Sequence, residues 1–173
     1  MAWITKNSAA AQVKPQSEPY FTDDMKRELD SVVTRYPRKQ AATLPCLHAM
    51  QEKVGWLPPQ AMEEIADYLD LEASEVMDTA SFYEEFWLKP KGKYVIWLCQ
   101  SISCEIMGEP SLTQKVSEFL GIQPGETTPD GKFTLMKVEC LGYCGDAPCG
   151  LINEDIQQKI NTDNLLDVIK NLD

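Results

Sequence analysis

The 173-residue sequence predicts an α+β/α/β protein in two parts, a small N-terminal helical bundle followed by an α/β unit. Three observations support this prediction. Apolar residues recur at helical spacing to about residue 86. The breaker stretch Lys-Pro-Lys-Gly then occupies 89–92, and a continuous apolar run of strand length follows at 94–98. We therefore expect a flexible tail over 1–18, a helical domain over 19–88 and a second domain over 93–173.

Four helices are predicted in the first part, because each stretch has an apolar stripe between start and stop signals. Thr22 or Asp23 can cap the first helix, and Pro37 stops it. The second helix starts near Pro45 and stops at Gly55. The predicted extents are 23–36, 44–54, 58–69 and 71–77.

The second part alternates strand-like and helix-like segments. The turn Pro-Asp-Gly at 129–131 precedes one of the strands. Another two strands are expected to pair around the turn at 153–155. The predicted strands are 94–98, 133–138, 149–152 and 156–160, and the predicted helices are 110–120 and one starting near 163.

Composition excludes several classes of function. The chain has 16 Lys+Arg, 27 Asp+Glu and a formal net charge of −11. Such an excess of negative charge argues against binding to nucleic acid, whose phosphates require Lys and Arg, and against an anionic membrane surface. With one His in the chain, His-rich zinc sites and a Rieske centre are excluded.

The compartment is expected to be the reducing cytoplasm. The first twenty residues lack an apolar segment of signal-peptide length, and no run of 18 apolar residues suggests a membrane span. The 6 Cys should therefore be free thiols or metal ligands rather than disulfides.

Four of the cysteines form two spaced pairs. Cys99 and Cys104 follow the end of one predicted strand, and Cys140 and Cys144 follow the end of another. If those strand ends are adjacent, the two loops lie side by side and four thiolates can meet at one site.

The spacing by itself leaves three interpretations open. C-x₄-C and C-x₃-C lie at the wide edge of zinc knuckles, so a zinc-stabilised interaction module is one. A two-iron, two-sulfide cluster suits the wider loops, and buried small thiols are the third. A redox C-x-x-C is absent. Gly142 and Gly145 flank the second pair and would let backbone N–H groups approach cluster sulfurs.

Several stretches together resemble one family. They are Leu-His-Ala-Met-Gln at 47–51, Gly-Trp-Leu-Pro at 55–58, Thr-Ala-Ser-Phe-Tyr at 79–83, the cysteine pair at 99 and 104, Pro-Gly-Glu-Thr-Thr-Pro-Asp-Gly-Lys-Phe at 124–133, and Glu-Cys-Leu-Gly-Tyr-Cys-Gly-Asp-Ala-Pro at 139–148. Over residues 20–172 the chain resembles the two-iron subunit of NADH-quinone oxidoreductase, respiratory complex I. Related subunits serve NAD-linked hydrogenases and formate dehydrogenases, so the motif leaves the host complex open.

The resemblance implies a helical domain followed by a thioredoxin-like ferredoxin domain. That domain would bind one [2Fe-2S] cluster through Cys99, Cys104, Cys140 and Cys144. The cluster would exchange single electrons with FMN on a partner flavoprotein that oxidises NADH. The resemblance also implies a peripheral position on the cytoplasmic side of the bacterial inner membrane, without direct membrane insertion.

The remaining candidates have simpler interpretations. Cys149 is expected to be a core thiol on a strand, and the alternative is an alternate ligand or a redox-sensitive thiol. Cys46 is expected to be a core thiol on the second helix, and His48 a packed side chain. Tyr143, where the family usually has a small or polar residue, could shield the cluster loop or touch a partner. No G-x-G-x-x-G follows a predicted strand, so FMN and NAD are expected on the partner, and this chain alone should not oxidise NADH.

Overall fold

The structure is a computed structural model that describes residues 14–173. It divides after Pro90 into two compact units, each with its own hydrophobic core. Most of the predicted tail over 1–18 lies outside the described residues. In its described end, the backbone N–H of Gln16 donates a hydrogen bond to Oε1 of Gln60 at 2.8 Å.

The first unit contains four α-helices and one 3₁₀ turn. The side chain of Thr22 accepts a hydrogen bond from the N–H of Met25 and caps the first helix. Gly55 ends the second helix in the left-handed conformation, with φ +86°. The helices are α1 Asp23–Val33, α2 Thr43–Val54, α3 Pro59–Leu69 and α4 Ala73–Phe82, and the 3₁₀ turn is Lys39–Ala42.

Two helix ends differ from the prediction. The first helix stops at Val33 rather than at 36, because a residue before proline avoids the helical region and Pro37 follows Tyr36. Helix α4 extends to Phe82 rather than to 77. Its apolar stripe continues from Val76 to Ala80, both buried, so the last turns also pack against the core.

The interpretations of Cys46 and His48 agree with the packing in this unit. Cys46 is fully buried in the core, and burial raises the pKa of its thiol to about 12. The ring of His48 packs against Phe86 with ring centroids 4.9 Å apart. Neither side chain takes part in a metal-ligating group among the described residues.

The second unit has a mixed four-stranded sheet with strand order β2-β1-β3-β4. Strand β1 is parallel to β2 and antiparallel to β3, which is antiparallel to β4. The last strand ends before the predicted limit of 160, because Lys159 has a positive φ and the N–H of Ile160 donates to the carbonyl of Pro148. The strands are β1 Tyr94–Cys99, β2 Phe133–Val138, β3 Gly150–Ile152 and β4 Asp155–Gln157.

Three helices accompany this sheet. The first of them is short and was not predicted, because its five residues around Cys104 are too few to display a helical period. The helices are α5 Ile102–Ile106, α6 Glu109–Leu120 and α7 Thr162–Lys170. The longest helices in the described chain have 12 residues, whereas about 20 apolar residues are needed to cross a bilayer. Accordingly, none of the helices within 14–173 qualifies as a membrane span.

Strand β1 is the centre of the second core. Ile96 and Leu98 pack in one cluster with Val116 of α6 and Leu165 of α7. Val95 is also buried, so both faces of the strand carry buried side chains, as the continuous apolar run predicts. These contacts anchor β1 in the core, and Cys99 is the last residue of that strand.

Gly150 is required where β3 approaches β1. A Cβ atom at this position would overlap the carbonyl oxygen of Trp97. We expect Gly150→Ala to lower the free energy of unfolding by about 3 kcal/mol, because neither backbone can move without breaking the sheet. Urea unfolding checks this. The control is Gly145→Ala, where an added Cβ meets nothing within 4 Å; an equal loss in both variants would contradict the steric explanation.

Candidate metal centre

The two predicted cysteine loops begin at the same edge of the sheet. Cys99 is the last residue of β1, and its register partner Val138 is the last residue of the parallel strand β2. The N–H of Gln100 donates to the carbonyl of Val138 at 2.9 Å, just beyond the strands. The expected side-by-side arrangement of the loops is therefore confirmed, because parallel strands end at a common edge.

The first loop folds back through the short helix α5. Ser101 precedes this helix in an extended conformation, and Cys104 lies in its middle. Both Cys99 and Cys104 are 1% exposed. Their Sγ atoms form a group with Sγ of Cys149 in which all three lie within 4.8 Å of one another. The first predicted pair thus meets, and a third thiol joins it.

The second loop brings the other predicted pair together. Sγ of Cys140 lies 3.5 Å from Sγ of Cys144, and both residues are exposed. Between them Gly142 has φ +84°, a conformation that favours glycine. Its N–H points at Sγ of Cys140 at 3.4 Å. The expectation that a glycine brings a backbone donor to a sulfur is confirmed for this position.

Hydrogen bonds connect the two loops around Cys99. Burial alone raises the pKa of the Cys99 thiol, but the N–H groups of Ser101 and Leu141 and the neighbouring thiols stabilise its thiolate and hold that pKa below its ordinary value. Ser103 of the first loop interacts with the sulfur of Cys144 in the second. Residues of both loops therefore surround the same sulfurs.

Three thiols of the centre, Cys104, Cys144 and Cys149, favour the protonated form. Burial raises the pKa of Cys104, and burial together with the neighbouring Cys104 raises that of Cys149 to about 12. The pKa of Cys144 is raised by its hydrogen bond to Cys140 and by their mutual repulsion as thiolates. Binding of a metal centre must consequently release protons from these thiols.

The donor set fits a metal centre with thiolate ligands. Sulfurs held about 2.3 Å from a tetrahedral ion lie about 3.8 Å apart. The separations of 3.7 Å for Cys104–Cys149 and 3.5 Å for Cys140–Cys144 are close to that value. Such centres also use backbone N–H groups that donate hydrogen bonds to the ligand sulfurs. The arrangement accommodates thiolate-bound iron, as in an iron–sulfur cluster.

Cys149 is the member of the centre that the sequence analysis assigned first to the core, on a strand; in the structure it lies directly before β3. It is buried, as expected, but its neighbours are Cys99 and Cys104 rather than an ordinary apolar core. Its place depends on β3 pairing with β1, because the N–H of Cys99 donates to the carbonyl of Cys149 at 3.1 Å. The position at the start of a predicted strand was the available signal. The predicted pairing of that strand with the following one is confirmed, but its pairing with β1 on the other side was not predicted.

The sequence analysis also did not predict a buried ion pair next to the loops. Glu109, at the start of α6 and 1% exposed, lies 3.4 Å from Nζ of Lys137 on β2. Its carboxylate also accepts a hydrogen bond from the hydroxyl of Thr113. Glu109 follows the first cysteine loop and Lys137 precedes the second. The ion pair therefore connects α6 and β2, the two elements next to these loops.

Exposure predicts an order of thiol reactivity in protein freed of metal. We expect maleimide to modify Cys140 and Cys144 first, because both are exposed, and Cys46 last, because it is buried and its thiol has a pKa of about 12. Peptide mass spectrometry after timed labelling at about pH 8, near the ordinary pKa of a thiol, measures the order. Early labelling of Cys46 without unfolding would contradict it.

Comparisons with known proteins bear on this centre. The family model described as "Thioredoxin-like [2Fe-2S] ferredoxin" matches residues 29–173. An NADH-quinone oxidoreductase subunit of Aquifex aeolicus is 39% identical over 81% of this chain and 88% of its own length. The corresponding matches are 41% identical over 78% and 76% for a subunit of the Thermus thermophilus enzyme, and 33% identical over 91% and 95% for one of the Escherichia coli enzyme.

A solved structure has a similar fold. It is the NAD⁺-reducing [NiFe]-hydrogenase in the air-oxidized state, with a TM-score of 0.67 and 26% sequence identity. The match covers 75% of this chain but only 22% of that chain. The similarity therefore concerns one part of a much longer polypeptide.

Proposed function

The chain belongs to the thioredoxin-like [2Fe-2S] ferredoxin family, and from this premise we propose that it is the two-iron electron-transfer subunit of an NADH-quinone oxidoreductase, carrying one [2Fe-2S] cluster. The observation that supports the proposal most strongly is the position of two close thiol groups on the loops that follow the adjacent ends of β1 and β2. Curated relatives 33–41% identical to the chain, all named as subunits of NADH-quinone oxidoreductase, support it.

The ligands we propose are Cys99, Cys104, Cys140 and Cys144. When bound, the cluster supplies a one-electron redox change. The chain contributes thiolates on two loops, N–H donors from Ser101, Leu141 and Gly142, and burial of the first pair. Hydrogen bonds to ligand sulfurs offset the cost of adding negative charge in a poorly solvated site.

The proposed partner is a flavoprotein subunit that binds FMN and oxidises NADH. NADH gives up two electrons as hydride, and a flavin is needed to convert this into single electrons. The sequence offers no dinucleotide-binding fingerprint. We place FMN and NAD on the partner, and assign single-electron exchange with the FMN to this chain.

The proposal extends to the domains and their location. A helical domain over 19–88 precedes the cluster-binding domain over 93–173. The complex holds the subunit at the cytoplasmic side of the bacterial inner membrane, with no segment of this chain inserted. The net charge of −11 directs it toward a partner face with basic or mixed charge.

Metal analysis of anaerobically purified protein is the decisive experiment. We expect two irons and two acid-labile sulfides per chain, because the family cluster has that composition, and an EPR signal after reduction with dithionite. Zinc bound in place of iron and sulfide would identify a zinc-stabilised interaction module and overturn the proposal. The EPR signals of a three-iron or four-iron cluster would contradict the cluster type.

A second host complex is favoured by the structural similarity to the NAD⁺-reducing [NiFe]-hydrogenase. In that case the same cluster-binding chain serves a hydrogenase or a formate dehydrogenase linked to NAD. Affinity purification from the native cell distinguishes the hosts, because the large subunits that accompany the chain differ. Membrane subunits of a quinone reductase support the first proposal, whereas a nickel-containing subunit supports the second.

A further inference from the structure

Cys149 occupies a defined position beside two of the proposed ligands. Its carbonyl accepts the hydrogen bond from the N–H of Cys99 at 3.1 Å. The next residue, Gly150, pairs with Leu98 and approaches β1 so closely that no side chain fits there. The pairing of β3 with β1 therefore fixes the position of Cys149 next to the end of β1.

Its sulfur lies at a distance suited to sharing a metal ion. Sγ of Cys149 is 3.7 Å from Sγ of Cys104, compared with about 3.8 Å for two thiolates on one tetrahedral ion. Sγ of Cys99 completes the group within 4.8 Å. Among the described residues, this is the one group of three ligating side chains close enough to hold a metal ion.

We propose that Cys149 is a reserve ligand that can replace Cys104 at the iron bound by the first loop. This inference rests on the proposed function, since it presupposes the cluster. In the exchange, the iron–sulfur bond to Cys104 breaks and one to Cys149 forms. The proton of the Cys149 thiol passes to the released sulfur of Cys104, so no electron is transferred and the total charge is unchanged.

Within residues 14–173, the second pair has no comparable reserve. Sγ atoms of Cys140 and Cys144 are 3.5 Å apart on an exposed loop, and neither belongs to the three-thiol group. Loss of a ligand should therefore be tolerated at Cys104 but not at Cys144. If only the loss of Cys104 is tolerated, replacement by Cys149 explains the result. If the loss of either ligand is tolerated, the cluster simply accepts substitution of its ligands.

Iron, sulfide and visible spectra of four full-length variants test the inference. We expect Cys104→Ala to keep most of the iron and sulfide of the wild type, and Cys104→Ala/Cys149→Ala to lose both. We also expect Cys144→Ala to lose both. In Cys104→Ala/Cys149→Ser an oxygen donor would replace sulfur, which shifts the charge-transfer absorption to shorter wavelength relative to Cys104→Ala alone, because oxygen is the harder ligand.

The outcomes are separable. A Cys104→Ala variant that folds as shown by circular dichroism but contains no cluster overturns the inference. So does a cluster in that variant whose spectrum is indifferent to Cys149→Ser. If Cys104→Ala does not fold, Cys104→Val fills the buried position with another side chain that cannot ligate, and carries the same expectation. Absence of the cluster from whichever of the two variants folds overturns the inference. A wild-type protein without iron and sulfide would instead overturn the proposed function.

Discussion

Replacement of Cys144 by serine is expected to abolish or strongly perturb the EPR signal of the dithionite-reduced protein. Cys144 lies 3.5 Å from Cys140 in the loop after β2, and in our assignment both are ligands. Serine retains the size of the side chain but replaces a soft thiolate by a harder oxygen donor, which iron–sulfur centres bind less well. Iron and sulfide contents should fall with the signal.

Two variants control this expectation. Cys46→Ala removes a fully buried cysteine of the other core and should leave the signal unaltered, since no metal-ligating group includes that thiol in the described chain. Cys149→Ala should also leave a reduced-state signal, because the four proposed ligands remain. If Cys149→Ala erases the signal and Cys144→Ser preserves it, the fourth ligand has been assigned to the wrong cysteine.

Removal of the charge of Lys137 is expected to cause the largest loss of stability among single surface-accessible positions of the second unit. Nζ of Lys137 lies 3.4 Å from Oε2 of Glu109, whose side chain is 1% exposed. In Lys137→Met the carboxylate stays buried without its cation, which should cost about 3 kcal/mol of unfolding free energy. Urea unfolding of samples with equal iron content measures it.

The control variants separate this ion pair from ordinary surface charge. In Glu109→Gln/Lys137→Met no charge remains buried, and we expect recovery of most of the lost stability, because an apolar or neutral replacement of both partners is tolerated. Lys170→Met removes an exposed i,i+3 pair with Asp167 and should produce no measurable change. Equal losses in Lys137→Met and the double variant would show that the charge was not the cause.

Most of the helices and strands could be predicted from the sequence, because helix caps, turns and hydrophobic periodicity are properties of short segments. Strand β2 spans the predicted residues 133–138, where a turn precedes an apolar run. Thr22 caps α1 and Gly55 ends α2 as expected. The short helix α5 could not be predicted in this way, since five residues are too few to display a periodicity.

The cysteine pairs were recognisable from the sequence, because strand ends and loop spacing are local properties and the motif around Cys140 and Cys144 resembles a known family. Which sulfurs share a site depends instead on strand pairing, a long-range choice. The antiparallel pairing of β3 with β1 brings Cys149 to Cys104, and the parallel pairing of β1 with β2 joins the two loops. The sequence by itself determined the kind of chemistry through its thiols. The tertiary structure decided that Cys149 joins Cys99 and Cys104, because only the sheet register sets distances between residues far apart in the chain.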